Sequence, residues 1–145
     1  MISKELDGLP SQDGKGRMNL NVTTAHFTEV EVMVITIEGE LDLSTIDRAE
    51  VPAQEAIAMR RPVVFDLSGC TFIDSSALRL LLQVHRALTA VDLDMPMAIA
   101  IGDSPVAKML SLTAIDQSIP VLPTLEAAQS WIQAQSETST ATSLP

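Results

Sequence analysis

Residues 63–78 read VVFDLSGCTFIDSSAL, and this stretch decides the fold. It opens with an apolar run centred on 63–65, which predicts a short buried strand over 62–67. It closes where Asp74 precedes a wide apolar stripe, which predicts a helix over 75–90 with Asp74 as its N-cap. A buried strand followed directly by an amphipathic helix is typical of α/β proteins.

The same alternation continues on both sides of this stretch. Runs rich in β-branched and aliphatic residues predict further strands, and amphipathic periods predict further helices. The expected strands are 19–25, 30–37, 62–67, 96–101 and 119–122, and the expected helices are 44–59, 75–90, 104–112 and 124–133. This order predicts an α/β fold whose sheet is mostly parallel after a first hairpin.

Capping residues mark several of the expected helix starts. Ser44 and Asp47 resemble a capping box, although Pro52 is expected to kink this helix or delay its start. Ser104 is predicted to cap the helix over 104–112, and Thr124 is well suited to cap the last helix.

The two ends of the chain lack any such period. Residues 1–17 are punctuated by Gly and Pro and are predicted to form a flexible N-terminal tail. Residues 136–145 are polar and of low complexity, and they are predicted to form a disordered C-terminal tail. The folded domain is therefore expected over 18–135.

Charge and composition exclude several classes of protein. The chain has 145 residues, of which 19 are acidic and 9 are basic, so its formal net charge is −10. This argues against nucleic-acid binding and against a polybasic membrane-surface role, because both need clustered Lys and Arg. One cysteine and two histidines provide neither a disulfide framework nor a metal site. A signal peptide and a membrane-spanning run are not found, so a cytoplasmic location is expected.

The segment Asp74-Ser75-Ser76 is the first candidate site. Both serines fall in the first turn of the predicted helix, where a phosphate would meet free N–H groups and the positive end of the dipole. The structural alternative is that the three residues are simply a good helix cap. The spacing alone leaves both interpretations open.

Two further candidates are acidic. Gly39-Glu40-Leu41-Asp42 lies within 29–55, a stretch that holds eight carboxylates and one arginine. This stretch is either a solvated face or a docking surface for a basic partner. Asp66 ends a predicted strand and is either a phosphoacceptor or metal ligand, or a polar residue that bonds to the local backbone.

Motifs for nucleotide binding and for nucleophilic catalysis are absent from the sequence. No G-x-x-x-x-G-K-[ST], G-x-G-x-x-G or G-x-S-x-G pattern occurs. Ser75 has no histidine base at hand, because His85 lies ten residues later in the same predicted helix. Cys70 is expected to be an inert buried thiol. We therefore predict that the chain is not an enzyme and has no catalytic residue, metal or cofactor.

The GELD segment at 39–42 and the 63–78 stretch, in this order and spacing, resemble the STAS domain of bacterial anti-sigma factor antagonists. The resemblance covers about 18–133. It implies a STAS fold, which is a four- or five-stranded mixed sheet with helices packed mainly on one face. It also implies a cytoplasmic regulator of transcription in the stress response that works by partner switching.

The resemblance further implies a partner and a phosphorylation site. The unphosphorylated form would bind an anti-sigma factor, often a serine kinase, and so free a sigma factor; a phosphatase would reverse the modification. Ser75 matches the phosphorylated serine of the family. Asp42 and Asp74 match interface carboxylates, and Ser76 and Glu40 complete the expected partner-binding set.

Two positions depart from the family pattern. Ala77 stands where the family usually has Gly, and Thr113-Ala114 stands where it has Ser-Gly or Thr-Gly. Two other functions remain open: a non-switching STAS scaffold in a transporter or signalling complex, and a receiver-like phosphotransfer domain that uses Asp66.

Overall fold

The computed structural model describes residues 18–26 and 30–142, with the backbone alone for 136–142. Strands and helices alternate along this part of the chain after an opening pair of strands. In chain order the elements are β1 (Met18–His26), β2 (Glu31–Leu41), α1 (Ile46–Ala58), β3 (Val63–Ile73), α2 (Ser75–Thr89), β4 (Met97–Ala100), α3 (Val106–Leu112), α4 (Ile115–Ser118), β5 (Val121–Leu122) and α5 (Leu125–Thr142).

The strands form one five-stranded sheet in the order β1-β2-β3-β4-β5. β1 pairs antiparallel with β2, and the later neighbours are all parallel. Parallel crossovers are right-handed in nearly all proteins, so crossovers that step in one direction place α1, α2 and α3 on one face. This architecture confirms the predicted mixed sheet with helices packed mainly on one face.

Apolar side chains cover both faces of the sheet. On the face of α1, α2 and α3, alternate strand residues such as Ile35, Phe65 and Ile99 are fully buried. On the opposite face, Ala128 and Ile132 of α5 belong to a second buried cluster with valines and alanines of β2, β3 and β4. Because β3 is covered on both sides, its residues read as a continuous apolar run.

β2 and β3 extend beyond the ends predicted at 37 and 67. Two irregularities in the pairing allow this, and each gives β3 one extra residue. Bulges of this kind let a ladder continue while they re-aim the side chains that follow. Cys70 and Ile73 remain buried in the core, although polar residues and glycine interrupt the apolar pattern. The sequence therefore underestimated both strands.

The capping box predicted from Ser44 and Asp47 is wrong. α1 begins two residues later than predicted, with Thr45 as its N-cap and without a side-chain cap bond. The Ser44 hydroxyl donates to Asp42 at 2.7 Å, so Ser44 belongs to the loop before the helix.

Ser104 and Thr124 accept hydrogen bonds near their helix starts as expected, although α3 begins at Val106, two residues later than predicted, with Pro105 directly before it. The Val106 N–H donates to the Ser104 hydroxyl at 3.0 Å, and the Ala127 N–H donates to the Thr124 hydroxyl at 3.0 Å. α1 continues through Pro52, which is buried on its packed face. The short α4 was not predicted.

α5 reaches into the segment that was predicted to be a C-terminal tail. The helix continues to Thr142, whereas 136–145 was expected to be disordered. No Gly or Pro lies between Leu125 and Thr142, so nothing in the sequence stops the helix once its first turns are packed on the sheet. Residues 143–145 and the tail predicted at 1–17 lie outside the described residues. Within the described part of the chain, no helix is long and apolar enough to cross a membrane.

Ala114 adopts the left-handed conformation, with φ 61°, where α4 begins. This conformation costs a residue with a Cβ atom about 1–2 kcal/mol of conformational free energy, whereas Gly adopts it freely. The family pattern has Gly at this position, and Gly avoids this cost. The backbone at Ala114 is therefore strained.

Ala114→Gly is expected to raise the free energy of unfolding by about 0.5–1 kcal/mol, because relief of the strain exceeds the extra chain entropy of Gly. Urea denaturation of both variants measures this. The matched control is Ala87→Gly within α2, which should lower stability by about 0.5–1 kcal/mol. An equal loss in both variants would contradict strain at Ala114.

Candidate functional site

The adjacent carboxyl ends of β2 and β3 bring the predicted site together. Leu41 and Ile73, the last residues of these strands, are register partners. Asp42 and Asp74 follow them directly, and the Asp74 N–H donates to the Leu41 carbonyl at 3.4 Å. Two carboxylates that are 32 residues apart in the sequence therefore lie at one edge of the sheet.

The Asp74 carboxylate joins two elements. Its Oδ1 accepts from the N–H groups of Ser76 and Ala77, at 3.0 and 3.1 Å, and from the Ser76 hydroxyl. Its Oδ2 accepts from the Leu43 N–H at 3.0 Å. Asp74 is thus the N-cap of α2, as predicted, and it also holds the loop that follows β2.

These bonds stabilise the charged form of Asp74. Desolvation by burial acts to raise the pKa of this carboxyl, but the hydrogen bonds from Ser76, Ala77 and Leu43 outweigh it. The net result is a pKa below the usual value of 3.8. Asp74 is therefore a carboxylate at neutral pH.

The loop from Asp42 to Thr45 is held by its own side chains. The Asp42 Oδ1 accepts from the Ser44 N–H at 3.0 Å and from its hydroxyl at 2.7 Å. The buried Thr45 hydroxyl accepts from the Asp42 N–H and donates to the Glu40 carbonyl, both at 2.9 Å. The sequence did not indicate this role of Thr45, because its local pattern does not distinguish a buried hydroxyl from an exposed one.

Ser75 and Ser76 differ in their availability. Ser75 is the first residue of α2 and is exposed, and its hydroxyl has no hydrogen-bond partner among the described residues. Ser76 is half-buried and its hydroxyl donates to Asp74. Ser75 therefore presents a free hydroxyl at the positive end of a helix dipole, whereas Ser76 is part of the cap.

Two exposed apolar side chains border the same edge. Leu43 is 76% exposed in the loop after β2, and Phe72 is 48% exposed near the end of β3. Phe72 is the register partner of Glu40, which is half-buried. Neither residue carries a charged or nucleophilic group, so the sequence patterns for binding and catalysis do not indicate them.

The remaining candidates have local structural roles. Asp66 is 8% exposed, and its Oδ1 accepts from the Ser68 N–H at 3.1 Å and from its hydroxyl at 2.7 Å. This is the local bonding foreseen as the alternative to a phosphoacceptor. Cys70 is buried as predicted, and burial raises the pKa of its thiol. In the described ranges, no group of three His, Cys, Asp or Glu residues could hold a metal ion.

The chain is similar in sequence to known proteins. The family model described as the STAS domain matches residues 22–128. The chain is 27% identical over 106 residues to the anti-sigma F factor antagonist of Paenibacillus polymyxa, a match that covers 72% of this chain and 87% of the relative.

Solved structures share the fold. An anti-sigma factor antagonist from Mycobacterium paratuberculosis superposes with a TM-score of 0.69 at 21% identity, covering 86% of this chain and 99% of that one. The anti-sigma factor antagonist SpoIIAA in its unphosphorylated form gives 0.62 at 21% identity, covering 78% and 96%.

Substitution of Asp74 separates its two roles. Asp74→Ala removes the cap and the loop bond and should lower the free energy of unfolding by about 1–2 kcal/mol. Asp74→Asn should cost less, because Asn caps helices about as well as Asp. The Asn side chain has one acceptor oxygen, so it cannot accept hydrogen bonds both from the first turn of α2 and from the Leu43 N–H. Hydrogen exchange of the Leu43 N–H should therefore rise in Asp74→Asn. Unchanged exchange at Leu43 would contradict the bridging role.

The contribution of the Asp74 carboxylate to the stability of the fold should be lost at acidic pH. Its pKa is lowered in the folded state, so its carboxylate stabilises the fold above the unfolded-state pKa, and the effect is lost as the pH falls through the folded-state pKa. The stability difference between wild type and Asp74→Asn should therefore narrow below pH 3.8. Denaturation curves across this range measure it, and a constant difference would contradict the assignment.

Proposed function

The chain belongs to the STAS domain family, and on this basis we propose that it is an anti-sigma factor antagonist. Its unphosphorylated form binds an anti-sigma factor that is also a serine kinase, and a sigma factor is released. Phosphorylation of Ser75 ends the complex, and a phosphatase restores it. The chain itself acts in the cytoplasm as a binding protein and not as an enzyme.

The observation that carries this proposal is the contrast between the two serines. The Ser75 hydroxyl is exposed and lacks a partner in the described residues, whereas the Ser76 hydroxyl is bound to Asp74. A kinase can reach Ser75 without breaking a hydrogen bond of the fold. In the proposed reaction the γ-phosphoryl group of ATP moves to the Ser75 oxygen, a base of the kinase takes the hydroxyl proton, and ADP leaves.

The same position explains how one phosphate separates two proteins without unfolding either. Phosphate adds about −1.5 to −2 charges at pH 7. The start of α2 tolerates this charge, because the helix dipole is positive there. A bound partner does not, since the bulk and the strongly hydrated charge of the phosphate must fit within the contact beside Asp42 and Asp74, where removing its water is costly. A cost of 1.4 kcal/mol lowers affinity tenfold, so a few kcal/mol suffice to release the partner.

The surrounding carboxylates supply the proposed docking charge. Asp42 and Glu40 lie at the edge where Ser75 is exposed, in a chain with a net charge of −10. Negative charge at this edge steers a basic partner surface towards it. Asp74 and Ser76 complete the partner-binding set, and their bonds to each other keep the start of α2 in place.

Substitution of Ser75 tests the switch. Ser75→Asp should weaken binding of the anti-sigma factor at least about tenfold while stability stays near that of wild type, because charge is added at the interface and at a favourable helix end. Ser75→Ala should bind like wild type and take up no phosphate from the kinase and ATP. Calorimetric titration and peptide mass spectrometry measure the two effects.

Ser76→Ala is the matched control, since it removes the neighbouring hydroxyl and leaves Ser75 in place. It should still be phosphorylated, with some loss of stability from the weakened cap. If chain isolated from its native cells carries no phosphate on Ser75 in any growth state, the switch is refuted and a non-switching scaffold role is favoured.

A further inference from the structure

Leu43 is an apolar side chain held in solvent beside the switch serine. It is 76% exposed, and it lies in the loop between β2 and α1. We propose that Leu43 is the apolar anchor of the partner interface and inserts into an apolar pocket of the anti-sigma factor that is rimmed by basic side chains. This inference rests on the proposed function and adds the chemistry of the partner's site.

The loop around Leu43 is fixed before any partner arrives. The Leu43 N–H donates to Asp74, and on either side Asp42 and Thr45 accept hydrogen bonds within the loop. A loop whose backbone is already ordered loses little further backbone entropy when it is buried in a complex, so the transfer of the Leu43 side chain from water contributes more fully to affinity. Residues that dominate binding energy are typically anchors of this kind within pockets.

Other exposed apolar residues lack this support. Val91 is 98% exposed in the turn after α2, and Val51 is 61% exposed on α1. Neither lies at the edge of the sheet where the Ser75 hydroxyl is free, and single exposed apolar residues are common on protein surfaces. Leu43 differs because its backbone is bound to Asp74, the residue that directly precedes Ser75.

The charges around Leu43 indicate the partner's chemistry. Asp42 and Asp74 lie on either side of Leu43, through sequence and through the hydrogen bond to its N–H. One oxygen of Asp42 takes the loop bonds, and the other has no partner in the described part of the chain. An apolar centre with a carboxylate rim is complementary to an apolar pocket with a Lys or Arg rim. Phe72 extends the apolar centre onto β3.

The anchor also accounts for the sensitivity of the complex to Ser75. A phosphate on the first residue of α2 would repel the Asp74 carboxylate, which caps that helix and holds the Leu43 N–H. The added charge therefore acts on the residue that positions the anchor, as well as on the partner.

The test titrates full-length unphosphorylated chain against each purified anti-sigma factor encoded in the same genome. Leu43→Ala should raise the Kd at least about tenfold, with an unchanged unfolding midpoint because the side chain is exposed. Leu43→Met should bind within about threefold of wild type, since it keeps the apolar volume. Val91→Ala, the matched control at the opposite end of α2, should bind like wild type.

The salt dependence of binding distinguishes the contribution of Leu43 from that of the surrounding carboxylates. The loss in Leu43→Ala should persist at high NaCl concentration, whereas the loss in Asp42→Asn should shrink because screening already weakens that charge. If wild type binds and Leu43→Ala binds equally well, the anchor is refuted and the proposed function stands. If wild type binds none of the anti-sigma factors, the proposed function fails and the anchor with it. If Leu43→Ala instead abolishes a dimer of this chain, the occupant is a second copy and the proposal is overturned.

Discussion

The carboxylate of Asp74 connects the two segments that form the candidate site, the start of α2 and the loop after β2. One oxygen accepts from the first turn of α2, and the other accepts from the Leu43 N–H in the loop after β2. A helix start and a neighbouring loop are therefore held by a single charged group, whose pKa is lowered by those bonds. Charge-assisted hydrogen bonds are about twice as strong as neutral ones, which suits a group that holds two segments in a fixed arrangement.

This joint depends on the register of the sheet. β3 has two extra residues relative to β2, and only because of them does Ile73 lie opposite Leu41. The two strands then end together, so Asp42 and Asp74 leave the sheet side by side. The bulges thus adjust the strand ends without disturbing the buried residues on β3. The same extra residues place Phe72 where it is half exposed near the candidate site.

At this edge of the sheet, some polar groups hold the backbone in place while other side chains remain exposed. The polar groups that hold the loop are bonded inward: Thr45 is buried, and Ser76 is bound to Asp74. Ser75 and Leu43 instead have exposed side chains, and within the described residues they support the structure only through their backbone bonds. A surface built in this way can gain a charge or bury an apolar side chain while the core stays unchanged.

Local patterns in the sequence were sufficient for the order of the elements apart from α4, for the Asp74 cap and for the position of Ser75 in the first turn of α2, because helix periodicity, capping and apolar runs act over a few neighbouring residues. They fail for Ser44, whose pattern predicts a cap but whose hydroxyl is bonded to Asp42 within the loop. They also ended β3 too early, because a bulge is visible only against the strand that it faces.

The α/β class and the identity of the serine that begins α2 follow from the amino-acid sequence alone. Which groups meet follows from the tertiary structure: the bond from Leu43 to Asp74 spans 31 residues and depends on strand register. The physical reason is that local patterns record the preference of each segment, whereas the exposure of Leu43 and the burial of Thr45 depend on how distant segments pack.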